Sequence, residues 1–450
     1  MKRKIYDELL NWKNEDAGRT ALLVCGAARV GKSSVAEEFA KNEYKSHIVI
    51  DFKNAPKDIT DMFSDHVSDP DMLFMYLSAF YNVKLYERET LFILDEVQVC
   101  PNARDAVKHL VADGRYDYLG ISSIAATDRE AGGLLLPPEE KCIRMYPLDF
   151  EEFLWALGCE TFMPQIKYCF ENGRPMGEAL HRKAMDYFRQ YLIVGGMPEA
   201  VAEYAESKDL DRVDRVKRGI LDFYRNDIIK NGSGHEVKAE QIFEGIPAQL
   251  QKHDKKFRLS LLKKEARFRD YENAMMWLAG TMIVNMCYNS TAPNVGLELN
   301  MDRKSLKCYM ADTGLLLSQA FSEKIIAHEK IYKNLLFGRL ELSRGMLVEN
   351  MVAQMLAAHG HRLYFYSNSS REDAHSRMGI DFLISEDRTM TRHNISPIKV
   401  KSSKNYTLTS LRKFRRKFHE QMHSAYVIHS GDFEEKDGVI YLPLYMTPLI

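Results

Sequence analysis

The sequence lacks the features that place a protein in a membrane or in an oxidising compartment. Its longest apolar stretch, residues 275–284, is about half as long as a bilayer-spanning helix. The seven cysteines are scattered without a C-x-x-C pair, which argues against a disulfide framework and a zinc site. The segment 1–16 has three basic residues directly after Met1 but has no uninterrupted apolar core, unlike a signal peptide. We expect a cytoplasmic protein without a membrane segment.

The sequence also lacks an excess of charge, internal repeats and low-complexity tracts. Lysine and arginine number 62 and aspartate and glutamate 63, so the formal net charge is −1. A chain this close to neutrality has no general attraction for nucleic acid, and DNA binding would need a local basic patch. The 450 residues predict about two to four domains.

A phosphate-binding motif is present near the start of the chain. Residues 26–34 read GAARVGKSS and match G-x-x-x-x-G-K-[ST], between a β-prone apolar segment and a segment with helical spacing. In such a loop backbone N–H groups surround phosphate oxygens, the lysine reaches the β- and γ-phosphates, and the serine binds Mg²⁺. The expected ATP contacts are Gly26, Ala27, Ala28, Arg29, Val30, Gly31, Lys32, Ser33 and Ser34, with Lys32 also catalytic and Ser33 a Mg²⁺ ligand.

An acidic pair follows the apolar residues 91–94. Consecutive apolar residues are typical of a buried parallel strand, and ligands bind at the carboxyl ends of such strands. We therefore expect Asp95 to hold Mg²⁺ and Glu96 to polarise the water that attacks the γ-phosphate. Residues 46–52 read as a further strand of the same sheet.

Another strand is predicted at residues 116–127. Within it, Ser122 and Ser123 fall where a polar side chain can sense the γ-phosphate. Plain strand-end serines are an equally good interpretation, and Ser123 is kept as a candidate ATP contact. Arg129 and Arg144 are both candidates for an arginine finger, and the sequence does not choose between them.

Seven stretches of the chain, taken in order, resemble one known family. They are RKIYDELLNWK, GAARVGKSS, LDEVQVCPNARDAVKHLV, MYPLDFEEFLWALG, YLIVGGMPEAV, YMADTGLL and YLPLYM. On these stretches the chain resembles the prokaryotic AAA-type ATPases that carry a C-terminal domain of unknown function. That group is related to archaeal-type and signal-transducing ATPases, and the resemblance covers nearly the whole chain.

The resemblance implies an α/β multidomain protein with four segments. A P-loop ATPase core with a parallel sheet would occupy residues 1–150, and a helical lid residues 151–205. A helical and winged-helix segment would follow at 206–325, and an α/β restriction-endonuclease-like domain of unknown function at 326–450. The charges of its expected recognition segment, residues 260–278, are mixed, which favours a scaffolding role over DNA binding. Residues 304–312 read as a short strand that would form the wing.

The resemblance also adds two expectations about nucleotide contacts. In signal-transducing relatives a Gly-x-Pro turn of the lid lies against the base, and this turn maps to Gly196 and Pro198. The sequence GGMP is equally compatible with a simple turn between helices. Relatives commonly have arginine at the position of Ala28, so the resemblance implies a modest change in nucleotide affinity with the remaining loop intact.

The C-terminal segment holds a departure from the nuclease pattern. That pattern has a carboxylate at a strand end and Glu-x-Lys on the next strand, with the acids holding a divalent metal. Asp381 and Lys401 fit, and Glu349 is a candidate acid on the first helix, but Lys399 replaces the glutamate. A lysine ammonium repels Mg²⁺ and removes a ligand. We therefore expect a degenerate site that does not cleave nucleic acid by the metal-dependent route.

Basic residues are concentrated between residues 399 and 417, with Phe414 and Phe418 at helical spacing. Such a segment can bind phosphates with little sequence preference, and it can equally be a solvated helix face with two core phenylalanines.

The sequence therefore favours a Mg²⁺-dependent ATPase that acts as a nucleotide-controlled switch. Its partner would be an unidentified protein, and a homo-oligomer is compatible with this function. The alternative is an ATP-gated DNA-binding module with a degenerate nuclease-like domain. An active ATP-dependent nuclease is a third function, against which Lys399 argues.

Overall fold

A computed structural model describes residues 1–66, 69–125, 136–232, 234–293, 296–321, 334, 344–368, 377–385, 394–403 and 406–450. They form two compact units, which are described separately. The first comprises Met1–Tyr146 with Met276–Ile283, and the second Pro147–Met275 with Val284–Ile450. In the described part of the chain no helix is both long enough and apolar enough to cross a membrane.

The first unit is built on a five-stranded, all-parallel sheet. Its strands are β1 (Ala21–Cys25), β2 (Ser46–Asp51), β3 (Thr90–Asp95), β4 (Asp117–Ser122) and β5 (Glu140–Arg144), in the order β2-β3-β4-β1-β5. Its helices are α1 (Ile5–Asp16), α2 (Lys32–Glu43), α3 (Lys57–Asp65), α4 (Pro70–Tyr81) and α5 (Pro101–Asp113). Every residue of β1 and β4 is buried, as expected for strands covered on both faces.

The strand order positions the predicted nucleotide site. In parallel strands the carboxyl ends meet at one edge of the sheet. Because β4 lies between β1 and β3, the end of β4 separates the phosphate loop after β1 from the acidic pair after β3. The predicted strands at 46–52 and 91–94 are β2 and β3, and the strand predicted at 116–127 ends earlier, at Ser122.

The second unit begins with helices. They are α6 (Phe150–Ala156), α7 (Phe162–Glu171), α8 (Glu178–Val194), α9 (Pro198–Ser207), α10 (Leu210–Asn231) and α11 (Glu236–Leu250). Helix α12 (Phe268–Gly280) starts in this unit, and its residues from Met276 onwards belong to the first unit. Helix α6 starts with a capping box, in which Asp149 accepts from the Glu152 backbone and Glu152 accepts from the Asp149 backbone. The expected recognition segment at 260–278 comprises the end of a 3₁₀ turn, an irregular stretch and most of α12.

A mixed eight-stranded sheet completes the second unit, in the order β12-β13-β11-β10-β9-β8-β6-β7. Its strands are β6 (Val284–Ser290), β7 (Met301–Met310), β8 (Leu363–Asn368), β9 (Met378–Ser385), β10 (Ile395–Val400), β11 (Tyr426–His429), β12 (Glu434–Lys436) and β13 (Val439–Pro443). The remaining helices are α13 (Thr313–Ala320), α14 (Arg344–Ala358) and α15 (Thr409–Lys417).

The sheet crosses the domain boundary predicted at residue 325. Strand β7 contains most of the segment expected to form a wing, and it pairs with β6, which in turn pairs with β8. Two strands from the predicted 206–325 segment thus belong to the same sheet as the strands from 326–450. The winged-helix assignment and the four-segment division stay predictions.

Candidate nucleotide site and a second carboxylate site

The phosphate loop connects β1 to α2, which is the order that its sequence predicts. Gly31 has φ 95°, a left-handed conformation that favours glycine, and Lys32 is the first residue of α2. Arg29 is also left-handed, with φ 69°, and is exposed, whereas Val30 is buried. The loop therefore places its lysine at the amino end of a helix, where the helix dipole favours an anion.

Lys32 lies buried inside the loop. Its Nζ donates to the carbonyl oxygens of Gly26 and Ala27, at 2.8 and 3.0 Å, and to Ser123 Oγ at 3.3 Å. Burial lowers the pKa of Lys32 to about 8, although the charges of Glu96 and Asp95 oppose this shift. The ammonium is thus held by neutral oxygens, and an anionic phosphate would be a stronger partner for it.

Ser33 and Asp95 meet across the same edge of the sheet, where Ser33 Oγ donates to Asp95 Oδ2 at 2.7 Å. The other carboxylate oxygen accepts from the Glu96 backbone N–H at 2.9 Å. Burial raises the pKa of Asp95, and the bond from Ser33 only partly opposes this effect. A hydroxyl and a carboxylate at this separation suit Mg²⁺, which takes few protein oxygens and completes its shell with water and phosphate.

Glu96 has both carboxylate oxygens engaged. Oε1 accepts from Ser123 Oγ at 2.8 Å, and Oε2 lies 2.9 Å from Lys53 Nζ and 2.5 Å from Gln98 Nε2. Burial would raise the pKa of Glu96, but the hydrogen bond and charge of Lys53, with help from Ser123, hold it below its ordinary value. In this arrangement the carboxylate is a weak base.

The two strand-end serines differ in their contacts. Ser123 lies between Lys32 and Glu96 and hydrogen-bonds to both. Ser122 is fully buried and bonds to the backbone of Ile124, so its contacts serve the turn after β4. Arg144 is exposed at the end of β5, and Arg129 lies outside the described residues.

Lys53 and Gln98 also contact Glu96, and neither is among the site residues predicted from the sequence. Lys53 follows the end of β2 by two residues, and β2 is the neighbour of β3. Because the carboxyl ends of parallel strands meet at one edge of a sheet, a cation just beyond β2 could have been predicted to lie near the acidic pair after β3. Gln98 lies in the short 3₁₀ turn, Val97–Val99, after the acidic pair, where Glu96 has φ 54°.

Gly196 and Pro198 belong to the second unit, at the turn between α8 and α9. The Gly196 N–H donates to Asp312 Oδ2 at 2.6 Å, and its carbonyl accepts from the Leu148 N–H at 2.6 Å. A Cβ on Gly196 would collide with the Leu148 carbonyl, so packing alone requires glycine here. Pro198 is the first residue of α9, a favoured position for proline. Their contact with a nucleotide base stays a prediction.

Glu349, on α14, is enclosed by cations of the second unit. Its Oε1 lies 2.9 Å from Lys307 Nζ and accepts from Tyr309 Oη at 2.6 Å, and its Oε2 lies 2.7 Å from Lys255 Nζ. Burial would raise the pKa of Glu349, but the charges of Lys307 and Lys255 hold it well below its ordinary value. This carboxylate is therefore ionised and paired.

Asp381, on β9, is paired in the same way. Its Oδ1 lies 2.8 Å from Lys399 Nζ, and its Oδ2 accepts from the Val400 N–H at 2.8 Å. Lys307 Nζ also approaches the backbone carbonyl oxygen of Asp381, at 3.5 Å, so the cation paired with Glu349 lies against the strand that carries Asp381. The structure thus brings Glu349, Asp381 and Lys399 into one cluster, and the degenerate nuclease-like site stays a prediction.

The cluster does not fit a metal ion. Within the described ranges, no group of three or more histidine, cysteine, aspartate or glutamate side chains is arranged to hold one. Lys307, Lys255 and Tyr309 were missed by sequence reasoning, because Lys307 lies 42 residues before its partner and no local motif links them. Only the pairing of β7 into the C-terminal sheet brings them together.

The basic segment includes the end of β10, with Lys399, and the whole of α15. Leu411 and Phe414 are buried, Phe418 is half-buried, and Arg412, Arg416 and Lys417 are exposed. In the described ranges no carboxylate forms an ion pair with these three side chains. Lys404, which also belongs to the predicted basic segment, lies outside the described residues.

Comparison with family models gives three separate matches. Residues 18–154 match a model described as AAA domain. Residues 185–324 match "Domain of unknown function (DUF8612)", and residues 344–446 match "Domain of unknown function (DUF4143)". A comparison with curated proteins gives no match.

Solved structures show distant similarity. The Walker-type ATPase PABY2304 of Pyrococcus abyssi is 15% identical, with 71% of this chain and 95% of that chain covered at a TM-score of 0.40. A signal transduction ATPase with numerous domains, PH0952 from Pyrococcus horikoshii, is 10% identical, with coverage of 80% and 48% and a TM-score of 0.27. DnaA from Aquifex aeolicus is 14% identical, with coverage of 60% and 82% and a TM-score of 0.25.

At these scores the structural similarities carry no argument, and the assignment rests on the family models and the motifs. The resemblance expected from the seven stretches is confirmed by the AAA and C-terminal matches. The chain thus combines an AAA domain, at residues 18–154, with a C-terminal domain of unknown function, at residues 344–446.

Proposed function

We propose that the chain is a Mg²⁺-dependent ATPase that works as a nucleotide-controlled switch. The observation that carries this proposal is the position of Ser123, which hydrogen-bonds both to the phosphate-loop lysine and to the candidate base Glu96. One hydroxyl therefore links the group that would bind the γ-phosphate to the group that would activate water. A phosphate that attracts Lys32 changes the partners of Ser123, and through Ser123 those of Glu96.

Each residue of the site has one task in this proposal. Lys32 would exchange the carbonyls of Gly26 and Ala27 for phosphate oxygens. Ser33 and Asp95 would hold Mg²⁺, which supplies charge neutralisation on the phosphates. Glu96 would orient and polarise the attacking water once it leaves Lys53, because its present partners make it a weak base.

The testing experiment is ATP turnover by wild type and Glu96→Gln, with ATP binding measured in parallel. We expect turnover to fall by about 10²-fold or more, since general-base catalysis contributes about 10²–10⁴-fold, while binding persists. Glu89→Gln is the matched control, because Glu89 is an exposed glutamate of the same unit that pairs with Lys45. Wild-type turnover in Glu96→Gln would remove Glu96 from this role.

The exposed cations of α15 support the alternative of an ATP-gated DNA-binding module. Arg412, Arg416 and Lys417 present a positive face of the kind that binds phosphodiesters in a salt-dependent way. Double-stranded DNA is therefore added to both turnover assays. DNA-stimulated turnover that is lost in Glu96→Gln supports this alternative, and turnover indifferent to DNA favours a switch with a protein partner.

A further inference from the structure

Three lysines form ion pairs with the two carboxylates of the C-terminal sheet, and a fourth follows one of them by two residues along the extended backbone. We call these four lysines the lysine cluster. They are Lys255, Lys307, Lys399 and Lys401. Lys307 and Lys399 lie on β7 and β10, Lys401 directly follows β10, and Lys255 follows α11. Residues far apart in the chain are thus collected at one place by strand pairing.

The cluster carries more positive than negative charge. Glu349 is balanced by Lys255 and Lys307, and Asp381 by Lys399. Three ammonium groups are thus paired with two carboxylates, and Lys401 adds a fourth ammonium group, so positive charge exceeds negative charge among these six side chains. Surplus charge of one sign in a partly buried place is unfavourable without a counter-ion, so an anion bound here would lower the free energy of the cluster.

Lys401 is the member without an acidic partner. In the described part of the chain no carboxylate forms an ion pair with it, and its Nζ instead lies 5.7 Å from the centroid of the Tyr406 ring. Burial lowers the pKa of Lys401, and the neighbouring charge of Lys399 lowers it further, while Asp381 opposes these effects. Its half-buried side chain is accessible, unlike that of Lys307.

We propose that the lysine cluster is a phosphate-binding site, with Lys401 as the contact nearest to solvent and Lys399 behind it. The site would take the phosphate group of a nucleic acid or of a small polyphosphate, without a metal ion. Lysine ammonium groups bind phosphate as point charges with charge-assisted hydrogen bonds. The inference does not depend on ATP hydrolysis, so it stands or falls separately from the proposed ATPase.

The carboxylates explain why a phosphate suits the site better than a cation. Both oxygens of Glu349 and of Asp381 already accept hydrogen bonds or ion pairs, so a metal ion that approached either acid would meet a lysine ammonium group of the same charge sign. The lysines at this site therefore create a positive electrostatic field. The two acids weaken this field, because each neutralises part of the lysine charge.

The test measures phosphate binding by the full chain in a Lys32→Ala background, so that the phosphate loop does not contribute. The two probes are pyrophosphate, followed by calorimetry, and a fluorescent single-stranded DNA oligonucleotide, followed by anisotropy with EDTA present. We expect Lys401→Ala to weaken binding by about tenfold, the size of one lost charge-assisted hydrogen bond. The matched control is Lys436→Ala, since Lys436 is an exposed lysine of the same sheet, and we expect less than about twofold change there.

A second variant gives a prediction of opposite sign. Asp381→Asn keeps an acceptor for the Val400 N–H but releases the charge of Lys399. We expect phosphate binding to tighten by about threefold or more, because one neutralising charge is gone. A site that used Asp381 to hold a metal would instead weaken.

The outcomes separate the sources of the phosphate. Loss of both probes in Lys401→Ala supports a general phosphate site, and loss of the oligonucleotide alone identifies nucleic acid as the ligand. Loss of pyrophosphate alone identifies a small polyphosphate. Equal binding by Lys401→Ala and Lys436→Ala, or no binding of either probe by the Lys32→Ala parent, overturns the proposal.

Discussion

The two carboxylate sites of this chain use similar residues and reach opposite electrostatic states. In the nucleotide site Asp95 is bonded to a hydroxyl and a backbone N–H, and burial raises its pKa. In the C-terminal sheet Glu349 faces two ammonium groups and a phenol, which hold its pKa well below the ordinary value despite burial. The difference teaches that the partner of an acid, more than its burial, decides whether it can still receive a cation.

Neutralising one acid in each site gives the largest test of this comparison. Glu349→Gln leaves Lys255 and Lys307 without their counter-charge, and we expect a loss of about 3–5 kcal/mol in the free energy of unfolding. Asp95→Asn should instead be neutral or stabilising by about 1 kcal/mol, because a raised pKa means that the ionised form opposes folding. Urea unfolding near neutral pH measures both.

The pH dependence follows the same signs. The stability that Glu349 contributes is present above its unfolded pKa and is lost as the pH falls through its lowered folded pKa. Asp95 acts in the opposite direction, and its cost disappears as the pH falls below its unfolded pKa. A destabilised Asp95→Asn, or a Glu349→Gln as stable as wild type, would break the comparison between the two sites.

Removal of Lys53 tests whether its ion pair with Glu96 limits the rate of ATP turnover at the nucleotide site. Lys53→Ala deletes the ion pair at 2.9 Å that holds Glu96, so we expect ATP turnover to rise by about threefold to tenfold. Lys45→Ala is the control, because Lys45 forms an exposed pair with Glu89 in the same unit. Lower turnover in Lys53→Ala, with Lys45→Ala unaffected, would show that Lys53 assists catalysis.

The lowered pKa of Lys32 predicts a smaller effect, a pH-dependent uptake of protons when ATP binds. With a pKa of about 8, it is about half protonated at pH 8, and phosphate binding would restore its charge. We therefore expect ATP binding at pH 8 to take up about half a proton, and binding at pH 6.5 to take up none at Lys32. Calorimetry in buffers with different ionisation enthalpies measures this uptake. Identical values at both pH values would contradict the lowered pKa.

The last prediction is that the chain has no metal-dependent nuclease activity. Because both acids of the C-terminal site are paired with lysines, the purified chain should not nick plasmid DNA when Mg²⁺ or Mn²⁺ is added. Agarose gels of supercoiled plasmid with metal or with EDTA provide the comparison. Nicking that needs a metal and disappears in Asp381→Ala would mean that the site is an active nuclease.

The sequence predicted the parts of the nucleotide site that lie within one motif. The loop at 26–34 and the acids at 95 and 96 needed only local order, since a strand, a turn and a helix adjoin in the chain. Ser123 was kept as a candidate ATP contact, with plain strand-end serines as an equally good interpretation, because which serine faces the loop depends on where β4 ends. The Lys53 partner of Glu96 depends on the lateral order of β2 and β3.

The C-terminal half was less predictable because more of its contacts depend on the pairing of strands that are far apart in the sequence. The replacement of glutamate by Lys399 was visible in the sequence, but the contribution of Lys307 and Lys255 was not, because they come from the preceding segment.

Strand β5 of the first unit, beside β1, was also not predicted, and its mixed burial gives a weak sequence pattern. Long-range pairing, which no local periodicity encodes, accounts for each of these omissions.

The pairing of β6 with β8 has a consequence for the folding autonomy of the C-terminal domain. A fragment that starts at residue 326 would lack β6 and β7, so β8 would become an open edge with unpaired backbone groups. It would also leave Glu349 buried without Lys307 and Lys255. The boundary suggested by sequence similarity is therefore not a safe place to divide the polypeptide, and the shortest independently folding piece should begin before Lys255.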